Sequence, residues 1–434
     1  MPRDSMAERF DAIVVGAGPA GSAAALALAR EKFSTLLVER GRHAGVKNMF
    51  GGRIYAWPLF DLLPEWEKDC PVERFVSSEH MVFLSGDASL GIEFESPRLA
   101  SGKAASFTAL RPKFDEWLAK KAETAGATVV TGIKVDDVVR DGSRFHGVVA
   151  GSDRIEADLV VLAEGAMGQL TQRAGLLPDL TPASVSVGVK ETIEVPAPVL
   201  QERFGLGDRD GASYVFAGDV SGGARGGGFL YTNKTSLSIG LVVSSEDVAR
   251  KKLEVPELMQ RFRMHPSVQR LIKGGKVLEY SAHLVPEFGL GMKARYVGDG
   301  ILVAGDAAGF LINNGYTFRG VDLAIASGIA AARAAVDARK SGDFTARGLS
   351  SYERYLRELN VLTDLETFRA APSYLKNERL FTLYPKLLAE IAERVYTVDG
   401  TAKQKLSEVI FDEAKEKAPL LRLLRDLIEG ARSM

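Results

Sequence analysis

The spacing of apolar positions changes character several times along the chain. Near its start the largely apolar run 10–15 predicts a short buried strand, the glycines of 16–21 a turn, the alanine-rich stretch 22–32 a helix, and 34–39 a second buried strand. Together these make a βαβ unit. A Gly/Asn-rich loop follows at 43–53, and "MVFLSG" and "LGIEFE" read as hairpin strands in the stretch up to about Ser106. Residues 111–125 carry Phe114, Trp117, Leu118 and Ala122 at helical spacing, with Pro112 suited to the first turn. Strands predicted over 128–131, 135–140, 145–150 and 159–163 then return to the opening pattern.

From Ala183 to about Ser244 the period shortens to alternation, as in "SVSVGVKETIEV" and "SLSIGLVV", which predicts antiparallel strands joined by turns such as Asn233-Lys234. Residues 248–273 read as helix, 296–305 as a buried strand and 321–340 as a small-residue helix. The remainder, 350–434, is helical throughout, with breaks at Pro372, Pro385, Gly400 and Pro419. The fold class is therefore α/β: a Rossmann-like domain built from 1–180 and 295–345, an inserted antiparallel β-sheet substrate domain at 181–294, and a helical carboxy-terminal region at 346–434.

Charge narrows the function. Lys and Arg total 55 against 56 for Asp and Glu, so no global positive field recruits nucleic acid, and no nucleic-acid partner is expected. The single cysteine, Cys70, excludes an internal disulfide and cannot by itself hold an iron-sulfur cluster, which is usually gripped by four thiolates. His43, His80, His146, His265 and His283 stand at no metal-ligand spacing, so no metal site is predicted. The polar, mixed-charge segment 1–11 does not read as a secretory signal, which predicts a cytoplasmic protein. The longest apolar stretch, 17–29, is shorter than the roughly 20 residues a spanning helix needs, although contact with a membrane surface is still allowed.

Chemistry enters at Gly16-Ala17-Gly18-Pro19-Ala20-Gly21, a G-x-G-x-x-G placed after a strand and before a helix. Gly16 permits the tight turn, Gly18 lets a pyrophosphate approach the backbone, and Gly21 lets helix and strand pack closely. Glu39, eighteen residues past Gly21 at the end of the second strand, is placed to accept hydrogen bonds from both ribose hydroxyls and would repel a 2′-phosphate. FAD and NAD both fit such a unit. Gly226-Gly227-Gly228 precedes a strand and not a helix, so it reads as a β-bulge or turn and not as a second dinucleotide site.

The stretch "ILVAGDAAG" at 301–309, followed by "FLINNGYTFRGVDLAIASG", resembles the FAD-dependent flavoproteins of the glutathione-reductase-like and para-hydroxybenzoate-hydroxylase-like group. That resemblance implies FAD, with Gly305 and Asp306 at the ribityl and pyrophosphate region and the helix start at Arg319, Gly320 and Val321 facing the flavin pyrimidine ring. It also implies that "LAEGAMG", with Ala163, Glu164 and Gly165, is the group's third fingerprint, Glu standing where Thr is commoner. Arg111 matches an arginine the group directs at the cofactor, and Gly51-Gly52 sits where its chain passes near the flavin. Arg40, Asn48, Val135 and Gly315 complete the implied cofactor set. No catalytic acid, base or nucleophile is assigned.

A closer resemblance, carried by "KNMFGGRIYAWPLFDLLPEW", "GGGFLYTNKTSLSIGLV", "GYTFRGVDLAIASG" and "YLKNERLFTLYPKLLAEIAERVYTVDG", is to the FixC family, relatives of electron transfer flavoprotein-quinone oxidoreductase. It implies an FAD enzyme that takes electrons from electron transfer flavoprotein subunits, delivers them to a quinone and sits peripherally on the cytoplasmic face of the cell membrane. Fused relatives carry a four-cysteine cluster domain, so with Cys70 alone any cluster is expected from a separate ferredoxin-like (FixX-type) subunit. Competing readings are a geranylgeranyl-reductase-like flavoprotein, an FAD monooxygenase, and a docking subunit that holds FAD only for structure. The amphipathic segments "RLFTLYPKLLAEI" and "APLLRLLRDLIEGARSM" suit a membrane, a partner subunit or simple packing on the cofactor domain.

Overall fold

The computed structural model describes residues 9–46, 52–287 and 289–434. The opening unit is strand β1 (Arg9–Val15), helix α1 (Pro19–Arg30) and strand β2 (Thr35–Glu39). The helix begins three residues before the predicted start, because Pro19, with no N–H to lose and φ already helical, takes its first turn. Strands β3 (Arg53–Tyr55), β4 (Arg74–Ser85), β5 (Ala88–Glu95) and β6 (Ser106–Thr108) leave for a second sheet. Helix α2 (Arg111–Thr124), β7 (Thr128–Thr131), β8 (Asp137–Asp141), β9 (Arg144–Ala150) and β10 (Asp153–Leu162) return to the first.

The second sheet continues with β11 (Val185–Glu194), β12 (Asp210–Gly218), β13 (Gly226–Thr232), β14 (Ser236–Ser244) and β15 (Lys276–Pro286). Its order is β15-β11-β14-β13-β12-β4-β6-β3, with β5 on β4; every pair is antiparallel except β12 with β4. Strands β16 (Val297–Gly298) and β17 (Ile301–Val303) rejoin the first sheet, whose parallel core runs β17-β10-β1-β2-β7. The predicted single strand 296–305 is thus a tight hairpin, turned at Gly300 with φ +74°. A short hairpin, β18 (Ile312–Asn313) and β19 (Phe318–Arg319), leads into helix α3 (Val321–Ser341).

Small residues let α1 and α3 touch. A Cβ on Gly328 would fall 2.3 Å from the Ala20 carbonyl oxygen, so a side chain there would push the helices apart. The alanines around it are buried for the same reason. The second sheet turns Val189, Ile193, Phe216, Leu230, Ile239 and Leu241 onto Leu200, Leu258, Phe262 and Val268, a core separate from that of the first sheet. Alternation sends Ser186, Lys190 and Thr192 to the opposite face, toward the first sheet.

One helical expectation needs correction, and the breaks expected in the carboxy-terminal region fall where predicted. The segment 248–273 is three helices, Ser245–Lys251, Val255–Met264 and Pro266–Ile272, interrupted where Lys252 takes φ +53° and where Pro266 begins the last. In the carboxy-terminal region the prolines start helices: Pro372 lies in the first turn of Ala371–Tyr374, Pro385 in that of α4 (Leu383–Tyr396), and Pro419 immediately before α6 (Leu420–Ser433). Between them lie Gly400, with φ +90°, and α5 (Leu406–Lys417). Among the described residues no helix is long and apolar enough to cross a membrane.

Candidate cofactor cleft and adjoining cavity

A long cleft opens where β1, β2, β10 and β17 end, the usual place for a ligand in an open parallel sheet. Gly16 turns out of β1 with φ +101°, and a Cβ there would lie 2.4 Å from the Ala163 carbonyl oxygen. A Cβ on Gly21 would lie 1.8 Å from the Gly16 oxygen, so the third glycine is what lets α1 pack on its strand. No side chain caps α1, whose first-turn N–H groups open on the cleft; α3 likewise starts uncapped at Gly320. Two helix ends therefore present partial positive charge to one channel.

Charged groups complete the cleft. Glu39 accepts from the Ala17 N–H at 2.9 Å and the Gly41 N–H at 2.6 Å, which fixes its carboxylate at the end of β2. Asp306 is half-buried in the cleft wall, and that desolvation pushes its carboxyl up while Arg111 opposes the shift. Arg111 itself is pulled down by burial but held charged by Asp115. Two uncapped helix ends, a carboxylate at one extremity and a guanidinium beside a half-buried carboxyl fit an elongated dinucleotide with a central pyrophosphate.

Of the residues singled out from sequence, Gly16, Gly18, Pro19, Ala20, Glu39, Arg40, Arg111, Val135, Ala163, Glu164, Gly165, Gly305, Asp306 and Gly320 all line this cleft. Ala17 and Gly21 lie behind it in the roles just given. The Glu164 carboxylate accepts from the N–H groups of Leu170 and Thr171 at 2.9 and 2.6 Å, so here Glu caps a short helix, Gln169–Arg173. Gly52 instead faces the Tyr231 ring. Arg319 is paired with Asp322 at 2.7 Å and Asp364 at 2.6 Å, away from the cleft wall. Gly315 lines a second cavity, and Asn48 and Gly51 lie outside the described residues. Sequence reasoning missed Arg53 and His283, both on the second sheet and both in the cleft wall. Burial pulls the His283 imidazole down, with Arg111 and Arg40 adding to it.

The second cavity adjoins the cleft, since Arg53 and Phe318 line both. Its walls are mostly apolar: Val215, Phe229, Tyr231 and Val242 from the second sheet, Phe318 from the β18–β19 hairpin, and Leu375 and Phe381 from the carboxy-terminal region. Gly226, Gly227 and Gly228 form part of this wall. They are not a bulge or turn but part of β13, paired without a register shift to Val243, Val242 and Leu241, with Gly226 at φ +145°. A Cβ on Gly226 would fall 2.1 Å from the Val242 oxygen, and one on Gly228 2.7 Å from the Phe262 ring, so close packing selects glycine at both. The end of α6 covers this side: Tyr316 donates to the Met434 carbonyl at 2.7 Å, and Asp426 takes two hydrogen bonds from Arg379 at 2.6 and 2.8 Å.

The family model for the ETF-QO/FixC family C-terminal domain matches residues 371–434, and two models of FAD dependent oxidoreductases match 11–179 and 108–334. The probable electron transfer flavoprotein-quinone oxidoreductase YdiS of Escherichia coli (strain K12) is 44% identical over 427 residues, covering 98% of this chain and 99% of that protein. Protein FixC of Azorhizobium caulinodans is 38% identical over 406 residues, 91% of this chain and 92% of its own. Among solved structures, a geranylgeranyl bacteriochlorophyll reductase-like protein from Thermoplasma acidophilum superposes with a TM-score of 0.71 at 21% identity, over 97% of this chain and 99% of that one. That likeness is one of fold.

Proposed function

The chain belongs to the ETF-QO/FixC family of FAD-dependent oxidoreductases, and from that premise we propose that it passes electrons from an electron transfer flavoprotein to a quinone. The observation that carries this reading is the apolar cavity that adjoins the cofactor cleft, with Arg53 and Phe318 in the walls of both. A quinone ring is flat and apolar with two carbonyl oxygens, which suits walls of Val215, Phe229 and Phe318 with polar groups confined to a few points.

In this reading the first turn of α1, with Gly16 and Gly18, holds the FAD pyrophosphate, and Glu39 takes the adenosine ribose hydroxyls. Asp306, Arg111 and the start of α3 at Gly320 hold the ribityl and flavin half. Bound there, FAD supplies electron exchange in single or paired steps. The chain's own contribution is to position the cofactor edge against the cavity and to keep bulk water from it with Phe318, Leu375 and Phe381.

A four-thiolate cluster cannot rest on Cys70, so a ferredoxin-like subunit is the proposed source of any iron-sulfur centre. Contact with the cytoplasmic face of the membrane is proposed through α6, where Leu421 and Leu427 are 82% and 70% exposed beside the chain end that covers the cavity.

The test is anaerobic absorbance of the purified flavoprotein, alone and then with an electron transfer flavoprotein, its ferredoxin-like partner and a quinone analogue. Bleaching by the reduced partners and recovery on adding the quinone is the expected result. Direct bleaching by NADPH with no response to the partners would instead favour the lipid-reductase or monooxygenase chemistry.

A further inference from the structure

One carboxyl group stands in the wall of the apolar cavity. Glu287, immediately after β15, also lines another cleft, bounded by Asn313, Arg369 and Lys376, so the residue stands between the two spaces. Among the described residues lining the apolar cavity it is the only carboxyl group. The side chain is 12% exposed. It accepts hydrogen bonds from the Ser186 hydroxyl and from Arg225 Nη2, the latter at 2.7 Å.

The surroundings suit a group that changes charge. Burial pushes the Glu287 carboxyl above its ordinary range, Ser186 and Arg225 pull it back, and Asp247 adds to the rise. Arg225 also bonds the Ser244 hydroxyl at 2.6 Å and lies 3.8 Å from Glu246, while Asp247 accepts from the Arg225 N–H at 2.8 Å and from Arg250 at 2.8 Å. A proton leaving Glu287 would therefore leave a carboxylate whose counter-charge is already in contact. The Arg369 and Lys376 cleft gives the same carboxyl a second approach, on the side away from the apolar cavity.

We propose that Glu287 is the acid that protonates the quinone as it is reduced in this cavity, and that it is reprotonated through the cleft beside Arg369 and Lys376. The inference rests on the quinone reading. With two electrons supplied to the ring by the bound cofactor, one carbonyl π bond would open and its oxygen would form an O–H bond with the proton leaving Glu287. The second oxygen takes a proton from water or from the reloaded carboxyl. The sum is quinone, two electrons and two protons giving quinol.

The experiment compares wild type, E287Q and E287D as FAD-loaded protein, with reduced electron transfer flavoprotein as donor and a short-chain quinone analogue as acceptor, across neutral and alkaline pH. Positioned acids contribute about 10²–10⁴-fold, so E287Q is expected to lose about 100-fold in kcat with KM within about twofold, and E287D to recover part of it. Any fall in wild-type kcat that follows loss of the Glu287 proton, wherever on the pH axis it lies, should vanish in E287Q. Infrared difference spectra of the resting proteins give a readout without turnover: a protonated-carboxyl stretch that titrates in wild type and is missing from E287Q. Unaltered kcat and pH profile in E287Q, or no such band in wild type, would overturn the assignment while leaving quinone reduction intact. Failure of wild type to reduce any quinone, with its flavin still reduced by the donor, would remove the quinone reading itself.

Discussion

Arg111 grips Asp115, one helical turn on, through two parallel hydrogen bonds, Nε to Oδ1 at 2.9 Å and Nη2 to Oδ2 at 2.8 Å. Asp115 is wholly buried, so the pair aims a guanidinium at the cofactor cleft from a fixed base. Asp115→Ala should cost about 3–5 kcal/mol of stability, because it removes this counter-charge from a buried cation. Urea unfolding of the loaded protein measures it, and the FAD-free fraction after purification should rise.

Glu39 is positioned by backbone N–H groups on both oxygens, so its replacement tests recognition more than folding. Glu39→Gln keeps the shape and removes the charge. Hydrogen bonds to charged groups are worth about 1.5–3 kcal/mol, so the Kd for FAD should rise at least tenfold. Titration of apoprotein with FAD, followed by flavin fluorescence, reads this directly.

Burial pulls the Lys190 ammonium down to about 8, with Glu279 opposing and Arg111 adding to the shift. In the unfolded chain a lysine titrates near 10.4, so between those values the unfolded state binds more protons. Stability contributed at this site should therefore rise with pH from about 8 toward 10. Lys190→Met should flatten that part of the profile and raise the melting temperature at pH 7.

Asp426 has the opposite sign. Its hydrogen bonds from Arg379 hold the carboxyl well below the usual range, and Tyr384 adds to this against the effect of burial. The contribution is present at neutral pH and begins to be lost as pH falls below about 4, where the unfolded carboxyl takes up its proton. Exchange protection in α6, relative to the intrinsic amide rate at each pH, should fall on acidification in wild type and be low at every pH in Asp426→Asn.

The exposed ridge of α6 predicts lipid contact. The double variant L421E/L427E should fold normally, since both side chains already face outward, and should lose most of its co-flotation with anionic vesicles.

The cofactor half of this site is written locally. Gly16 to Gly21, Glu39 and Gly305-Asp306 sit at strand ends inside short, strongly patterned segments, and the structure brings their loops to one cleft. The other half is not. His283 and Glu287 belong to no motif, and Arg53 lies in a quoted stretch without being singled out; Arg53 and His283 meet the cleft, and Glu287 the adjoining cavity, because β3 and β15 join a sheet assembled across long sequence separations, including the parallel pairing of β12 with β4. The glycines at 226–228 were ambiguous for a related reason, since what forbids a side chain there is a neighbouring strand and the Phe262 ring. The breaks expected at Pro372, Pro385 and Pro419 do fall there, because each proline sits in or just before the first turn of a new helix.

The chain passes between the two sheets four times, from β2 to β3, β6 to β7, β10 to β11 and β15 to β16. Halves joined by one tether can swing apart like a door. Halves stitched at four places resist that motion more, because every crossing would have to bend together. The spacing between cofactor cleft and apolar cavity is then set by the frame, and the β18–β19 hairpin and the end of α6 lie at the cavity it encloses.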